Sequence, residues 1–316
     1  MKQSRASLQT RLLYLMLPAL LLVACSSQTL SPAASFVDLD NLQALPTPRE
    51  PSDRPLRVGI AAVISPQGSA ESYSLLLDYL SDQLGRPVER VQRRTYAEVN
   101  ELLSTGEIDL AFVCTSSYLL GKRESGLGLL VAPQVNGEVT YRAILIVPAN
   151  SSANSIGDLQ GKVFAFTDPD SFTGRIYPTY LLQGIEANPD TFFADTFFTY
   201  SHDDAIRAVA EGIADGATVD SLVLDFALKR QPELADRIRV IHVSPAFGMP
   251  PVVVSSFIRP QMLAELETIL LTMHETVEGR AALQALDYDR FVPVSDEDYR
   301  SAEDIELQVL ANEANP

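Results

Sequence analysis

The sequence predicts an α/β fold in which mostly parallel sheets are covered by helices on both faces. Two observations lead to this prediction: short runs rich in Val, Ile and Phe recur along the chain, and segments with leucines at helical spacing separate them. Such strands form parallel sheets, because each helix returns the chain to the end of the sheet where the preceding strand began. The composition of 46% apolar and 21% charged residues is typical of a globular protein.

Strands are assigned to runs of β-branched and aromatic residues, and helices to apolar residues that recur every three or four positions. Two helix ends are marked by Gly85 and Gly106, which follow the last apolar residue of a helical pattern. In chain order the predicted elements are a strand at 56–61, a helix at 73–84, a strand at 88–91, a helix at 96–103, strands at 110–114, 143–147 and 163–166, helices at 171–183 and 205–213, strands at 238–243 and 252–257, and a helix at 263–273.

The charge of the chain excludes several classes of function. It has 24 Lys and Arg residues against 41 Asp and Glu residues, a net charge of −17 at pH 7. Nucleic-acid binding and a polybasic membrane anchor both need a basic surface, so neither is expected. Two cysteines cannot build a disulfide framework or a cysteine zinc site, and no spacing of His, Asp and Glu predicts a metal ion or another cofactor.

Residues 1–24 are predicted to be a signal peptide. They carry Lys2, Arg5 and Arg11 without any acidic residue, and an apolar run follows that is too short to span a membrane. The run ends in Leu22-Val23-Ala24-Cys25, which resembles a bacterial lipobox, where the cysteine receives a lipid and becomes the new N-terminus. The alternative is a cysteine that lies by chance near an ordinary cleavage site.

Residues 25–55 are predicted to be a flexible tether behind the lipidated Cys25. Prolines are frequent in this segment, with Ser, Thr and Ala between them. The protein is therefore expected in the cell envelope and periplasm, with its lipid in either the outer or the inner membrane. Cys114 is then the one thiol left in the folded body, and its apolar neighbours favour a small buried residue.

Hydroxyl side chains follow two of the predicted strands at the point where a helix begins. Thr115 and Ser116 come after the strand at 110–114, and the run 171–174 comes after the strand at 163–166. Backbone N–H groups at a helix start bind oxyanions without Lys or Arg, and sites in parallel sheets lie beyond the carboxyl ends of the strands. The two junctions therefore indicate an anion pocket, and ordinary helix caps are the alternative.

Several sequence blocks carry a family resemblance, and they lie in one order along the folded body. They are Tyr96 with residues 106–118, the pair Tyr141-Arg142, the run 159–178 and the run 192–217. Together they resemble the phosphate, phosphite and phosphonate substrate-binding family of ABC importers, over roughly residues 56–291. The resemblance implies a two-lobed periplasmic-binding-protein fold of type II, with mostly parallel sheets, flanking helices and a ligand cleft between the lobes.

The domain organisation follows from the same resemblance. The first lobe is expected to hold residues 56–142 and 251–300, and the second lobe residues 143–250. The chain is expected to cross between the lobes near 143–148 and 243–251, and residues 301–316 are expected to form a C-terminal tail. Hinge closure of the lobes would sequester the ligand.

The resemblance also implies the residues that hold an oxyanion. Ser171, Thr173 and Gly174 match the hydroxyl-rich helix start of the family. Ser116 and Tyr118 fall at the opposing loop of the first lobe. Thr115 is added as their neighbour, on physical grounds.

Four further residues complete the expected binding site. Tyr73 matches an aromatic residue that faces the cleft, His202 matches the family histidine near the ligand, and Asp220 lies where polar groups meet the organic end of the ligand. Helix capping is the alternative for His202 and Asp220. Arg175 either supplies a positive charge to the anion or faces solvent.

Two departures from the family pattern leave the ligand open. Phe172 stands where a small hydroxyl residue is common, and Thr115-Ser116 replaces a common Gly-Pro pair. The anion pocket is expected to survive, because Phe172 keeps its backbone N–H. Phosphonate, phosphite, phosphate or another small oxyanion therefore remain alternatives.

The leading functional hypothesis is a monomeric, lipid-anchored binding protein that delivers a small oxyanion to an ABC permease and its ATPase, without catalysis. The alternative is a binding module that senses its ligand and signals to a membrane receptor. A structural lipoprotein is also considered. An envelope hydrolase that uses Ser116 or Ser171 with His202 is disfavoured, since the sequence lacks a Gly-x-Ser-x-Gly motif.

Overall fold

The fold is described from a computed structural model, which describes residues 54–61, 63 and 66–314. The predicted signal peptide, Cys25 and most of the tether lie outside the described residues. Within the described part of the chain, no helix is long and apolar enough to cross a membrane.

Thirteen strands lie in the described part of the chain. They are β1 (Leu56–Ile60), β2 (Val88–Gln92), β3 (Leu110–Phe112), β4 (Gly128–Gln134), β5 (Thr140–Tyr141), β6 (Ala143–Pro148), β7 (Val163–Phe166), β8 (Asp195–Phe198), β9 (Gly216–Asp220), β10 (Ile238–Val243), β11 (Phe247–Gly248), β12 (Val252–Val254) and β13 (Arg290–Val292). The prediction missed β4, β5, β8, β11 and β13, and it extended the strand at β3 by two residues that precede the next helix.

The α-helices are α1 (Pro66–Leu84), α2 (Tyr96–Ser104), α3 (Thr115–Ser125), α4 (Tyr177–Gln183), α5 (Pro189–Phe192), α6 (His202–Ala210), α7 (Ser221–Arg230), α8 (Pro260–Thr272), α9 (Val277–Ala285) and α10 (Arg300–Ala314). Short 3₁₀ turns lie at Ile156–Leu159, Pro232–Asp236, Met273–Glu275 and Asp296–Tyr299. The helix predicted at 171–183 is in two parts, because a π-helical turn at Phe172–Ile176 precedes α4.

The strands form two main sheets. The six-stranded sheet has the order β13-β4-β12-β3-β1-β2, and the five-stranded sheet has the order β10-β6-β9-β7-β8. In the first sheet β1, β2, β3 and β4 run in one direction against β12 and β13. In the second sheet β6 alone runs against the other strands. The predicted mostly parallel sheets are therefore confirmed.

A small antiparallel ribbon lies outside both sheets. It pairs β5 with β11, so that Tyr141 lies opposite Phe247 and Thr140 opposite Gly248. These two short strands stand where the chain passes from the six-stranded sheet to the five-stranded sheet and back. The first passage thus lies just before β6, not within it as expected, because β6 is a buried apolar strand of the five-stranded sheet.

The C-terminal segment, expected to be a tail, forms the helix α10. It packs against α3, which follows a strand of the six-stranded sheet, and against the π-helical turn and α4, which follow a strand of the five-stranded sheet. Glu306 pairs with Arg123 on α3, and Glu313 pairs with Arg175 at 2.9 Å. α10 therefore contacts elements of both sheets.

Candidate ligand-binding site

Helices that follow strands of the two main sheets begin close to one another, in the space between the sheets. α2 and α3 follow strands of the six-stranded sheet, whereas the π-helical turn and α6 follow strands of the five-stranded sheet. Three hydrogen bonds join the two groups: Tyr96 N–H to Asp168 Oδ2 at 3.1 Å, Phe172 N–H to Cys114 Sγ at 3.4 Å, and His202 N–H to the Val63 carbonyl at 2.9 Å. The N–H groups at the starts of α2, the π-helical turn and α6 therefore each donate to a segment that follows a strand of the other sheet.

The thiol of Cys114 connects the two halves of this region. Cys114 is the N-cap of α3, and its Sγ accepts a hydrogen bond from the backbone N–H of Phe172 at 3.4 Å. Burial raises the pKa of the thiol to about 12, and the N–H groups of Phe172 and Ser116 oppose that rise. A neutral, weakly accepting sulfur thus faces a donor that follows a strand of the opposite sheet, and such a donor favours a negatively charged acceptor.

Ser171 and His202 lie side by side within the five-stranded half of the region. Ser171 is the N-cap of the π-helical turn: its Oγ accepts from Gly174 N–H at 3.1 Å and lies 3.5 Å from His202 Nε2. The backbone N–H of Asp220 donates to His202 Nδ1 at 3.1 Å, so the proton of the neutral ring is on Nε2. Burial lowers the pKa of His202 to about 3, and the ring is therefore a neutral donor.

Buried hydroxyl groups surround these donors without a hydrogen-bond partner. Thr173 is fully buried at the π-helical turn, and its Oγ1 makes no hydrogen bond. The hydroxyl of Tyr96, at the start of α2, is equally buried and equally unpaired. Since buried polar groups are nearly always hydrogen-bonded, these hydroxyls indicate a site built for a polar ligand.

Asp168 joins the two sheets through its carboxylate. It follows β7, and its oxygens accept from the N–H groups of Tyr96 and Asp170. Burial raises the pKa of Asp168 to about 6, and the two N–H donors oppose that rise. The first N–H of α2 is therefore already occupied by an acid of the opposite sheet.

Gly174 has a packing role. A Cβ atom at this position would lie 1.8 Å from Thr167 Oγ1, so no other residue fits there without displacing Thr167. The close approach brings the π-helical turn against the end of β7, and it thereby sets the position of Ser171 and Thr173.

Thr115 contacts the ribbon between the sheets. Its hydroxyl donates to the Gly248 carbonyl at 3.2 Å and accepts from the Tyr141 hydroxyl at 3.0 Å. Both partners belong to the ribbon of β5 and β11. The side chain expected to neighbour the anion therefore connects the start of α3 to the passage between the sheets.

Two other expected site residues are paired with residues near the C-terminus. The Tyr118 hydroxyl donates to Asp296, and Arg175 pairs with Glu313 on α10. The structure thus engages these two polar groups away from Ser171 and His202. The Ser116 hydroxyl is buried and has no hydrogen-bond partner.

Tyr73 and Asp220 line a cavity of about 100 Å³ next to the donors. The Tyr73 and Tyr288 hydroxyls are hydrogen-bonded to each other, and the Tyr73 ring contacts the edge of Phe112. Asp220 caps α7, with Oδ1 accepting from Leu222 N–H at 2.7 Å. Burial raises the pKa of Asp220 to about 7. We call this space the side chamber.

Tyr96, Cys114, Asp168 and Tyr288 were not among the residues expected at the site. Tyr96 could have been found, because Thr95 and Glu98 form a capping box directly after β2 and mark a third strand-to-helix junction. Cys114 was assigned to the core, and its burial is as expected, but its contact with Phe172 joins residues distant in sequence. Among the described residues, no group of three His, Cys, Asp or Glu side chains is arranged to hold a metal ion.

Two known proteins with similar sequences are named for the import or binding of phosphate and phosphonates. The Phosphate-import protein PhnD of Mycolicibacterium smegmatis is 30% identical over 184 residues, which cover 54% of this chain and 57% of that protein. The Phosphonates-binding periplasmic protein of Escherichia coli is 24% identical over 269 residues, which cover 83% and 79% respectively. The match thus spans a little over half of the first relative.

Solved structures share the fold. The binding protein component of an ABC phosphonate transporter from Pseudomonas aeruginosa has a TM-score of 0.77 at 22% identity, with 82% of this chain and 87% of that chain covered. PhnD1 from Prochlorococcus marinus, solved in complex with methylphosphonate, has a TM-score of 0.73 at 19% identity, with 80% and 97% covered. These likenesses confirm the expected two-lobed fold of type II periplasmic binding proteins.

The match to a protein-family model establishes the family of the chain. The model described as "ABC transporter, phosphonate, periplasmic substrate-binding protein" matches residues 58–299, which include both main sheets and the helix starts between them. The chain therefore belongs to the family of periplasmic substrate-binding proteins of phosphonate ABC transporters.

Proposed function

We propose that this protein binds a small oxyanion of the phosphonate, phosphite or phosphate class between its helix starts and delivers it to an ABC permease and its ATPase. The observation that carries the proposal is the pair of donors at the π-helical turn: the Phe172 N–H, which donates to the neutral thiol of Cys114, and the buried Thr173 hydroxyl, which has no partner. The names of the relatives from Mycolicibacterium smegmatis and Escherichia coli support the same ligand class, and the family description supports an ABC transporter as the partner.

The oxyanion is held by neutral donors. Its oxygens accept from the Phe172 N–H, from the hydroxyls of Ser171, Thr173 and Tyr96, and from Nε2–H of His202. Hydrogen bonds to a charged acceptor are roughly twice as strong as neutral ones, so the anion displaces the thiol as the acceptor of the Phe172 N–H. Tyr73 and Asp220 contact the remainder of the ligand.

The protein binds its ligand without making or breaking a covalent bond. A serine hydrolase needs a histidine whose Nε2 accepts the serine proton while Nδ1–H donates to a carboxylate. Here Nδ1 of His202 accepts from a backbone N–H, so Nε2 carries a proton and cannot deprotonate Ser171. This tautomer supports a binding role for the pair.

The two sheets correspond to the two lobes, with residues 56–142 and 251–300 in one and residues 143–250 in the other. The hinge is the ribbon of β5 and β11, and Thr115 connects it to the start of α3 through Gly248 and Tyr141. Binding of an anion by donors of both lobes then favours the closed arrangement of the lobes.

The mature protein is a monomer that begins at a lipidated Cys25 and faces the periplasm. The lipobox pattern of residues 22–25 supports this proposal. Metabolic labelling with an alkyne fatty acid tests it, because the wild-type chain should be labelled and fractionate with membranes, whereas Cys25→Ala should not be labelled. A labelled Cys25→Ala variant would contradict the assignment.

Calorimetric titration tests the binding site. The double variant Ser171→Ala with Thr173→Val should bind phosphite or methylphosphonate at least about 100-fold more weakly, because hydrogen bonds to a charged ligand each contribute about 1.5–3 kcal/mol. The matched control is Ser301→Ala with Thr268→Val, since both side chains are exposed. Equal affinities of the two double variants would contradict the site. A wild-type protein that binds no oxyanion would overturn the proposed function.

A further inference from the structure

The C-terminal helix α10 contacts both of the elements that meet at Cys114. It packs against α3, which Cys114 caps, and against the π-helical turn, whose Phe172 N–H donates to the Cys114 thiol. α10 follows the last strand of the six-stranded sheet, and its C-terminal end reaches elements that follow a strand of the five-stranded sheet. One helix therefore touches the first and the second lobe beside the proposed anion donors.

The attachment of α10 to the first lobe is buried. Glu306 of α10 is buried and forms an ion pair with Arg123 of α3. Directly before α10, the fully buried Tyr299 donates its hydroxyl to the Met249 carbonyl at 2.9 Å, beside the ribbon of β5 and β11. Separating the partners of a buried ion pair is costly, so this part of α10 stays with the first lobe when the hinge moves.

The attachment of α10 to the second lobe is polar and partly exposed. Glu313 pairs with Arg175 of the π-helical turn at 2.9 Å. Asn312 Nδ2 donates to Gln183 Oε1 at 2.8 Å, and Gln183 Nε2 donates to the Val309 carbonyl at 3.3 Å. Partly exposed pairs contribute less than buried ones, so an opening of the hinge breaks these contacts first.

The two attachments lie on one face of α10. Glu306 and Glu313 are seven residues apart, which is two helical turns and about 10 Å along the axis. Because the helix fixes this distance, α3 and the π-helical turn can both be bound to α10 in only one relative arrangement. That arrangement is the one in which Phe172 N–H lies within hydrogen-bond distance of Cys114 Sγ.

α10 does not belong to the proposed binding site itself. None of its residues lines the side chamber, and Glu313 and Asn312 are bound to Arg175 and Gln183. Any influence of these side chains on the ligand therefore passes through the relative position of the lobes. A through-space charge effect of Glu313 is the alternative, and it has the opposite sign, because a carboxylate repels an anion.

We propose that α10 is a strap that fastens the second lobe to the first in the closed arrangement, with Glu313, Asn312 and Gln183 as positioning residues that slow the release of the bound oxyanion. This inference rests on the proposed function, because the ligand must first be held by donors of both lobes. It goes further by assigning control of ligand retention to a helix outside the site.

The release of radiolabelled methylphosphonate from the full chain in detergent, chased with unlabelled ligand, tests the inference. The strap variant, Gln183→Ala with Glu313→Gln, should release the ligand about tenfold faster, because it loses an ion pair and the hydrogen bonds of Gln183. Its association rate should change less than about twofold, since the anion donors are intact.

The matched control is Asp304→Asn with Gln308→Ala. It removes the same charge and the same type of side chain from two exposed positions of α10, and it should release the ligand at the wild-type rate. This control separates the strap contacts from a change in net charge.

A double-variant cycle tests the contact between Asn312 and Gln183 directly. Asn312→Ala alone should speed release about threefold, because one hydrogen bond is lost. In a chain that already carries Gln183→Ala, the same change should have almost no effect. Effects that multiply instead would show that this contact does not retain the ligand, and would contradict the strap.

The outcomes separate the two proposals. Equal release rates of the strap variant and its control overturn the inference and leave the proposed function intact. Slower release from Glu313→Gln alone also overturns it, because that is the result of simple repulsion between the carboxylate and the anion. A wild-type chain that binds neither methylphosphonate nor phosphate overturns both proposals.

Discussion

The backbone N–H of Phe172 donates a hydrogen bond to Sγ of Cys114 over 3.4 Å. Phe172 belongs to the π-helical turn after β7 of the five-stranded sheet, whereas Cys114 caps the helix that follows β3 of the six-stranded sheet. The contact thus joins two segments that are far apart in sequence, with the thiol as the acceptor and the π-helical turn as the donor.

Removal of this acceptor should destabilise the protein. Cys114→Ala leaves the N–H group of Phe172 without a partner, and a buried unpaired donor costs about 1–3 kcal/mol. Cys114→Ser keeps an oxygen acceptor and should lose less. Urea unfolding of the ligand-free protein measures both free energies, and equal losses in the two variants would contradict the role of the sulfur as acceptor.

The stability contributed by His202 should depend on pH. Its pKa is about 3 in the folded protein, below the usual value of 6.5, so between these values the unfolded chain binds a proton that the folded protein does not. Its contribution is complete above pH 6.5 and is lost as the pH falls toward 3, by up to about 1.4 kcal/mol per pH unit.

The variant His202→Gln isolates this effect, because glutamine does not titrate. The difference in the free energy of unfolding between wild type and variant should shrink from pH 7.5 to pH 5. The raised pKa values of Asp168 and Asp220 act in the opposite direction but are present in both proteins. Urea titrations at several pH values measure the difference, and a constant value would refute the prediction.

Gly174→Ala should be strongly destabilising. The new Cβ would lie 1.8 Å from Thr167 Oγ1 and 2.7 Å from Thr167 Cβ, so the π-helical turn must move away from β7. A loss of more than about 3 kcal/mol is expected, as for other overpacked buried sites. Thr167→Gly in the same chain should restore part of it, and thermal unfolding of the single and double variants checks this coupling.

Two glutamates of α10 form a matched pair for a fourth prediction. The Glu306 side chain is 4% exposed and pairs with Arg123, whereas the Glu313 side chain is 37% exposed and pairs with Arg175. Glu306→Gln should lower the free energy of unfolding by about 2–3 kcal/mol, since it breaks a buried ion pair. Glu313→Gln should cost less than about 1 kcal/mol. Similar losses in urea unfolding would show that α10 is not anchored through Glu306.

Much of the fold could be predicted from local pattern. The runs at β1, β3, β6 and β7 are buried and apolar, and their periodicity differs clearly from that of α1. β8 was missed because its residues are half-buried or exposed and include Asp195. The ribbon of β5 and β11 could not be found, because its two-residue strands are defined only by their pairing across the chain.

The helix start that is proposed to hold the anion could be predicted from a single strand-to-helix junction. Ser171 and Thr173 occupy the expected helix start. Ser171 also acts as an ordinary helix cap, which was the alternative, because its Oγ accepts a hydrogen bond from Gly174 N–H. Tyr118 and Arg175 were harder to interpret, because their polar groups bind Asp296 and Glu313 near the C-terminus. No spacing rule connects positions that meet only through the packing of α10.

The donors converging near Cys114 carry no net charge, and the chain as a whole carries −17. Long-range repulsion should therefore slow the approach of an anion at low ionic strength, whereas the short hydrogen bonds that retain it are little screened. Since the Debye length falls to about 8 Å at physiological ionic strength, added salt should raise the association rate more than it changes the dissociation rate. The affinity for the anion should therefore rise with salt concentration. A site built from Arg and Lys shows the opposite dependence.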